Sequence, residues 1–272
     1  MLVYATMIDN IRAKKSLGQN FLKDPLYLCK IADAAQVGTD DQVLEIGPGL
    51  GHLTAVLAKR ARRVLALELD TRLIPVLDRE FSRQEHITIV HADALDYPYG
   101  DLTGKWKAVA NLPYYISTPI IQLLIDHRDK FSSLTLLLQK EVAQRIASPP
   151  GSKEYGFLSV LVQLSAEPRI EFMVPASAFT PVPKVDSAVV TLRMREHPAA
   201  AKTDKAFLVT LLKAVFSQRR KTLRNGLKPL GLLPERIDAV TGQTGIDLSR
   251  RAETLSIEEF CALADFLREQ QS

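Results

Sequence analysis

The sequence predicts an α/β fold: a mostly parallel sheet with an antiparallel edge, followed by a small all-α C-terminal domain. Three observations predict it. Short apolar runs alternate with helix-spaced segments from about residue 28 to 145, the pattern of parallel strands covered by helices on both faces. Two later runs, Arg169–Val174 and Ser187–Met194, are joined only by a proline-rich link from Pro175 to Pro183. Two strands with no helix between them imply an antiparallel addition at one sheet edge. Beyond residue 199 the pattern is helical throughout.

The elements follow in order. Gln42–Ile46, Arg63–Leu67, Ile87–His91, Trp106–Ala110 and Leu134–Gln139 are short apolar runs and read as strands. Between them, Leu53–Arg60, Thr71–Phe81 and Thr118–His127 have helical spacing. Ser148 to Ser152, rich in proline, glycine and serine, reads as a loop, and Leu158–Ala166 as a helix. The segment Glu196-His197-Pro198-Ala199-Ala200-Ala201 is the linker, which divides the chain into domains 1–198 and 199–272. In the second domain Phe207, Leu208, Leu211, Leu212, Val215 and Phe216 repeat at helical spacing. Leu223 and Leu227 continue a helix, and Pro234–Thr241 and Ile257–Arg268 form further short ones.

Composition narrows the class. The 272 residues are 46% hydrophobic and 24% charged, ordinary for a globular protein with a full core. A net charge of +4 permits a polyanionic partner without requiring one. Cys29 and Cys261 lie far apart and outside any CxxC or Cys/His cluster, so the expectation is two unpaired thiols and no metal site. No apolar run approaches the ~18–20 residues of a membrane helix, and the N-terminus lacks the apolar core of a signal peptide. These readings make the expected location cytoplasmic.

The glycine turn carries the first chemistry. Val43-Leu44-Glu45-Ile46-Gly47-Pro48-Gly49-Leu50-Gly51 is a strand running into a glycine turn and then a helix. Glycines let the backbone turn tightly and approach a ligand. A dinucleotide fingerprint sets its third glycine after two residues; here Gly51 follows Gly49 after one. Glu45 before the turn and Pro48 within it also depart from a pyrophosphate cradle. An acidic, glycine-bent turn suits a sulfonium nucleoside better. Glu68 ends the next strand and can accept from both hydroxyls of a ribose. Asp93, followed by Ala94, comes after the third and can accept from an adenine amine. Ends of successive parallel strands line one crevice.

The fourth strand ends in Asn111-Leu112-Pro113-Tyr114. The nitrogen of an adenine amine is a poor nucleophile because its lone pair is delocalised into the ring. Acceptors on the amine hydrogens help it pyramidalise. The Asn111 side-chain oxygen is one such acceptor, and the Leu112 backbone carbonyl, exposed by the turn at Pro113, is another. Tyr114 offers a stacking face, worth ~1–3 kcal/mol per base. Phe179, in Phe179-Thr180-Pro181-Val182-Pro183-Lys184-Val185-Asp186-Ser187, either closes the other face of the base or staples the edge hairpin. Lys184 either meets phosphate or is solvated. A paired base must leave its stack to enter such a pocket.

Taken together, the chain resembles the ribosomal RNA adenine dimethyltransferases, and within them the bacterial 16S enzymes. The resemblance covers nearly the whole chain. It rests on Lys14-Lys15-Ser16-Leu17-Gly18-Gln19-Asn20-Phe21-Leu22, Glu45 to Thr54, Glu68, Asp93, Asn111 to Tyr114, Leu138-Gln139-Lys140-Glu141-Val142-Ala143, and Phe179 to Ser187. It implies a Rossmann-like class I methyltransferase sheet and S-adenosylmethionine as cofactor. That cofactor would be contacted by Asn20 and Leu22 from the N-terminal segment and by Gly47, Glu68, Asp93 and Asn111. It implies two methyls on each of two adjacent adenosines near the 3′ end of 16S RNA, a nearly assembled 30S subunit as substrate, and a late assembly checkpoint.

Two basic patches fit such a partner. Arg12, Lys14 and Lys15 lie in a stretch with no acid between residues 10 and 23; either the segment only packs, through Leu17, Phe21 and Leu22, or its basic residues meet RNA. From Lys213 to Lys228 there are six basic residues and no acidic one, with Arg219, Arg220, Lys221 and Arg224 clustered. Such density suits phosphate contacts, and a solvated helix face is the alternative. The expected assembly is a monomer acting on RNA, away from membranes. Competing readings are a methylase of large-subunit RNA, a DNA adenine methylase, and a binding protein that keeps the fold without turnover.

Overall fold

The computed structural model describes residues 12–197, 199, 203–218 and 220–269. Its strands are β1 (Phe21–Leu22), β2 (Gln42–Ile46), β3 (Arg63–Glu68), β4 (Ile87–His91), β5 (Trp106–Asn111), β6 (Phe131–Gln139), β7 (Ala166–Val174), β8 (Phe179–Thr180) and β9 (Ser187–Met194). The helices are α1 (Pro25–Ala34), α2 (His52–Ala58), α3 (Ile74–Phe81), α4 (Ser117–Asp126), α5 (Lys140–Ala147), α6 (Phe157–Gln163), α7 (Lys205–Phe216), α8 (Leu223–Leu227), α9 (Pro234–Thr244) and α10 (Ile257–Glu269).

Seven strands form one sheet in the order β4-β3-β2-β5-β6-β9-β7. The pairs β2–β3, β2–β5, β3–β4 and β5–β6 are parallel, and β9 joins β6 antiparallel. The inner strands read as unbroken apolar runs because both faces are covered. Val43, Leu44, Val64, Ala66, Ala108, Val109 and Ala110 are all fully buried. β4, at the edge, is only half-buried.

The chain runs outward from β2 through β3 to β4, then returns to lay β5 and β6 on the other side of β2. The strand order therefore reverses between β2 and β5, where Ile46 pairs with Ala110. A crevice opens outside the carboxyl ends of strands at such a switch point. The glycine turn after β2 and Asn111 at the end of β5 flank it.

A second, two-stranded sheet pairs β1 with β8 antiparallel, Phe21 opposite Thr180 and Leu22 opposite Phe179. Sequence reading found neither strand, since two residues carry no period. Helix α5 was missed as well. The helix expected over Leu158–Ala166 ends at Gln163, and Ala166 instead begins β7. Leu223 and Leu227 do not continue α7: they belong to a separate helix, α8, whose Leu223 and Arg224 N–H groups donate to the Arg250 and Leu248 carbonyls.

The chain divides into two compact units, and the division differs from one at residue 198. One comprises the described residues of 1–143 and 168–194; the other comprises those of 144–167 and 195–272. The physical reason lies in the second core. Tyr155, Val160 and Leu164 pack with Leu208, Leu211, Leu227, Val240, Phe260 and Leu263. The core of the first unit joins Leu28, Ile31, Val43, Leu57, Val109, Val174, Phe179 and Val189. Among the described residues no helix is long and apolar enough to cross a membrane.

Candidate active site

A cleft opens at the switch point, outside the carboxyl ends of the parallel strands. Gly47, Gly49, Glu68, Asp93, Ala94, Asn111, Leu112, Pro113, Tyr114 and Asn20 all line it. These are ten of the positions singled out from sequence, contributed by the ends of four adjacent parallel strands and by the N-terminal segment.

The glycine turn holds the floor open. Gly47 and Gly49 have φ of +70° and +59°, a region open to glycine at little cost. A Cβ on Gly49 would also stand 3.2 Å from the Phe21 ring. Beneath the turn, Glu45 is 1% exposed, and neither carboxylate oxygen has a hydrogen-bond partner among the described residues. Burial pushes its pKa up to about 8, with the Thr54 hydroxyl alongside opposing the rise and the nearby Glu68 charge adding to it. Burial thus favours the neutral acid over the carboxylate at this position.

Glu68 is buried, and its own oxygens order the rim. Oε2 accepts from the Gly49 N–H at 3.0 Å and Oε1 from the Asp70 N–H at 2.8 Å. Burial raises its pKa against those hydrogen bonds. A carboxylate has about four acceptor sites, so lone pairs remain for hydroxyl donors in the cleft. Asp93 Oδ1 accepts from the Leu95 N–H at 2.9 Å, which leaves its other oxygen for a ligand.

At the end of β5, Asn111 Nδ2 donates to the Asn20 carbonyl at 3.1 Å. A carbonyl can only accept, so it fixes which way the carboxamide points. The Asn111 Oδ1 is the end left for an incoming donor. Tyr114 is half-buried, with its hydroxyl hydrogen-bonded to Ser187 Oγ at 2.8 Å, and burial raises its pKa. The Leu112 side chain is buried, so its part at the rim falls to the backbone.

Three expected site residues are placed elsewhere. Phe179 does not line the cleft: it is 2% exposed and packs with Leu22, Leu28 and Val174. Pairing of β8 with β1 turns Phe179 inward and leaves Thr180 exposed, so the hairpin-staple alternative describes it. Leu22 is likewise buried, and borders a smaller adjoining cavity with Glu45 and His52. Gly51, with φ of +80°, caps α2; a Cβ there would stand 2.9 Å from Phe81 Cε2. It serves packing between α2 and α3.

Of the basic residues, Lys14, Lys184, Arg220 and Lys221 are exposed. Arg224 pairs with Asp238 of α9, so the patch is less uniformly basic in space than in sequence. Arg219 lies outside the described residues, and for Lys15 only the backbone is described. Sequence reading missed Tyr115, an aromatic 58% exposed that also lines the cleft. Its signal was the second tyrosine of the Tyr114-Tyr115 pair. Leu17, Gly18 and Gln19 line it as well, in a segment without a periodic pattern.

Residues 10–269 match the ribosomal RNA adenine dimethylase family. A small subunit ribosomal RNA methyltransferase A of Geobacter metallireducens is 48% identical over 263 residues, 94% of this chain and 96% of that one. Its namesake in Clostridium acetobutylicum is 43% identical over 259 residues, 94% of each chain. Among solved structures, a dimethyladenosine transferase from Plasmodium falciparum superposes with a TM-score of 0.80 at 28% identity, covering 92% of this chain and 98% of that one. The 23S rRNA methyltransferase ErmE gives a TM-score of 0.70 at 28% identity, over 91% and 99%. With the family matched over residues 10–269 and relatives 43–48% identical over 94% of its length, the chain belongs to the ribosomal RNA adenine dimethylases.

Proposed function

We propose that the protein dimethylates the exocyclic amines of two adjacent adenosines near the 3′ end of 16S rRNA, with S-adenosylmethionine as methyl donor. The orientation of Asn111 carries this reading: its donor end is engaged by Asn20, and its acceptor end is left for the target amine. The residues around it fit the donor. Gly47 and Gly49 admit a ligand against bare backbone, and Glu68 and Asp93 offer acceptors to a ribose and an adenine. When bound, S-adenosylmethionine supplies an electrophilic methyl on a sulfonium.

The chain's own part is to hold and polarise the amine. Asn111 Oδ1 and the Leu112 carbonyl accept from the two amine hydrogens and aim the nitrogen lone pair at the methyl. The donor, held by Gly47, Gly49, Glu68 and Asp93, would supply the methyl to that nitrogen and keep the carbon–sulfur electron pair. The methylated nitrogen, cationic for a moment, passes its proton to solvent, so no strong base is required. Tyr114, pinned by Ser187, gives the base a flat wall. In a second round the monomethylated amine has one hydrogen left, so only one of the two carbonyls accepts from it while the nitrogen lone pair is again aimed at a methyl.

The exposed Lys14, Lys184, Arg220, Lys221 and Arg224 are the proposed contacts to RNA phosphates, joined by Lys15 and Arg219 on sequence grounds. On this reading the first unit binds cofactor and base, and the helical unit binds RNA. Action as a monomer in the cytoplasm on a nearly assembled 30S subunit, with a checkpoint role in its maturation, completes the proposal. The small-subunit names of the curated relatives favour that target over large-subunit RNA. Labelled S-adenosylmethionine incubated with undermethylated 30S particles, naked 16S RNA, 50S particles and DNA tests it. Transfer to 30S particles is expected; tight 30S binding without transfer to any substrate would overturn it.

A further inference from the structure

The N-terminal segment is tied to the sheet by one polar chain that no part of the reaction uses directly. Gln19 Nε2 donates to Asp70 Oδ2 at 2.9 Å, and Gln19 Oε1 accepts from the Lys14 N–H at 2.7 Å. Both ends of this carboxamide are therefore engaged. Asp70 is 4% exposed and is itself fixed. Arg72 Nε reaches its Oδ1 at 2.9 Å, Arg72 Nη2 reaches its Oδ2 at 2.5 Å, and its own N–H donates to Glu68 Oε1. The Arg72 hydrogen bonds, and then that from Gln19, hold the Asp70 carboxyl down at about 2, so it stays an acceptor at any working pH.

The next residue after Gln19 is Asn20, whose carbonyl accepts from Asn111 Nδ2. On its other side, Phe21 is held by pairing with Thr180. The carbonyl that orients Asn111 is thus clamped between a side-chain anchor at 19 and a strand pair at 21. If the anchor is lost, the carbonyl is fixed from one side only. A carboxamide turned by 180° would present N–H donors to an amine that needs an acceptor.

We infer that Gln19 is a positioning residue: by anchoring to Asp70 it holds the Asn20 carbonyl where it fixes the orientation of the Asn111 carboxamide. This rests on the reading of Asn111 as the acceptor for the target amine. It also gives Glu68 and Asn111 a physical connection, through Asp70, Gln19 and Asn20.

The chain has four asparagines, Asn10, Asn20, Asn111 and Asn225, so protein labelled with ¹⁵N-asparagine gives four side-chain amide pairs. Asn111→Ala assigns one of them. In Gln19→Ala the Asn111 pair is expected to shift and to exchange with solvent faster, by about 5-fold for the loss of a ~1 kcal/mol hydrogen bond. The Asn225 pair, bonded to Thr222 Oγ1 at 3.1 Å in the other unit, stays in place as the control. In methyl-transfer assays kcat falls while KM for RNA stays near wild type. An Asn111 pair that does not move in folded Gln19→Ala overturns the inference.

Should Gln19→Ala fail to fold, a swapped amide–carboxylate pair replaces it. Gln19→Glu sets two carboxylates against each other, and adding Asp70→Asn gives the introduced carboxylate an amide donor. The double variant is expected to recover the Asn111 shift and kcat relative to Gln19→Glu; no recovery overturns the inference. If the wild type transfers no methyl to RNA, the functional reading fails while the amide spectra still decide the geometry.

Discussion

Replacing Glu45 with glutamine tests how the acid beneath the glycine turn is held. Its carboxyl is buried, and burial raises its pKa from 4.5 to about 8 against the lowering effect of the Thr54 hydroxyl beside it. The unfolded chain ionises this group from pH 4.5 upward, whereas the folded protein keeps it protonated until about pH 8. Between those values the unfolded state binds fewer protons, so stability falls as pH rises. The slope from this group is about 1.4 kcal/mol per pH unit, so roughly 3 kcal/mol is lost between pH 4.5 and 7. Glu68, raised, and His52, lowered by its own burial, also titrate but remain in the variant. The difference in unfolding free energy between Glu45→Gln and wild type therefore isolates Glu45. Measured by urea titration in the absence of ligand, it is expected to grow in the variant's favour from pH 4.5 and level off near pH 8. A difference that stays flat from pH 5 to 8 would refute the reasoning.

Other outcomes follow from single contacts. Gly51→Ala forces a Cβ against Phe81 and Leu77 at a positive φ and is expected to cost about 1–3 kcal/mol; thermal melting should show it with cofactor affinity retained, since Gly51 is outside the cleft. Glu68→Ala removes acceptors worth about 1.5–3 kcal/mol for hydrogen bonds to a charged group, so calorimetry should find cofactor binding at least ~10-fold weaker. Tyr114→Ala loses a stacking face of ~1–3 kcal/mol and should lower kcat/KM for RNA by about 5- to 150-fold. Tyr114→Phe, which keeps the ring and loses only the Ser187 hydrogen bond, should lose far less, and equal losses would count against stacking.

The central strands were legible because burial on both faces leaves an unbroken apolar run, as in Val43-Leu44 and Ala108-Val109-Ala110. The strand-end residues Gly47, Glu68, Asp93 and Asn111 were legible because parallel strands bring their carboxyl ends together whatever the connections. What escaped depends on distant partners. β1 and β8 are two residues each and exist through pairing across more than 150 positions. Phe179 was open to two readings until that pairing turned it into the core. Gly51 looked like part of the cofactor turn, and its positive φ with the approach of Phe81 gives its requirement for glycine. The contribution of residues 144–167 to the helical unit was hidden because Tyr155, Val160 and Leu164 are ordinary core residues, and sequence does not say which core they join. The anchor from Gln19 to Asp70 joins two polar side chains that carry no periodicity at all.

The central claim is that the turn beginning at Asn111 makes an adenine amine a nucleophile. Undermethylated 30S particles treated with wild type and with Asn111→Ala, then digested and quantified for N6,N6-dimethyladenosine by mass spectrometry, test it most directly. Cofactor affinity of both proteins is measured in parallel. Wild type is expected to convert two adjacent adenosines fully, while Asn111→Ala binds cofactor measurably and forms almost no dimethyladenosine. Near-normal dimethyladenosine from Asn111→Ala would contradict the account.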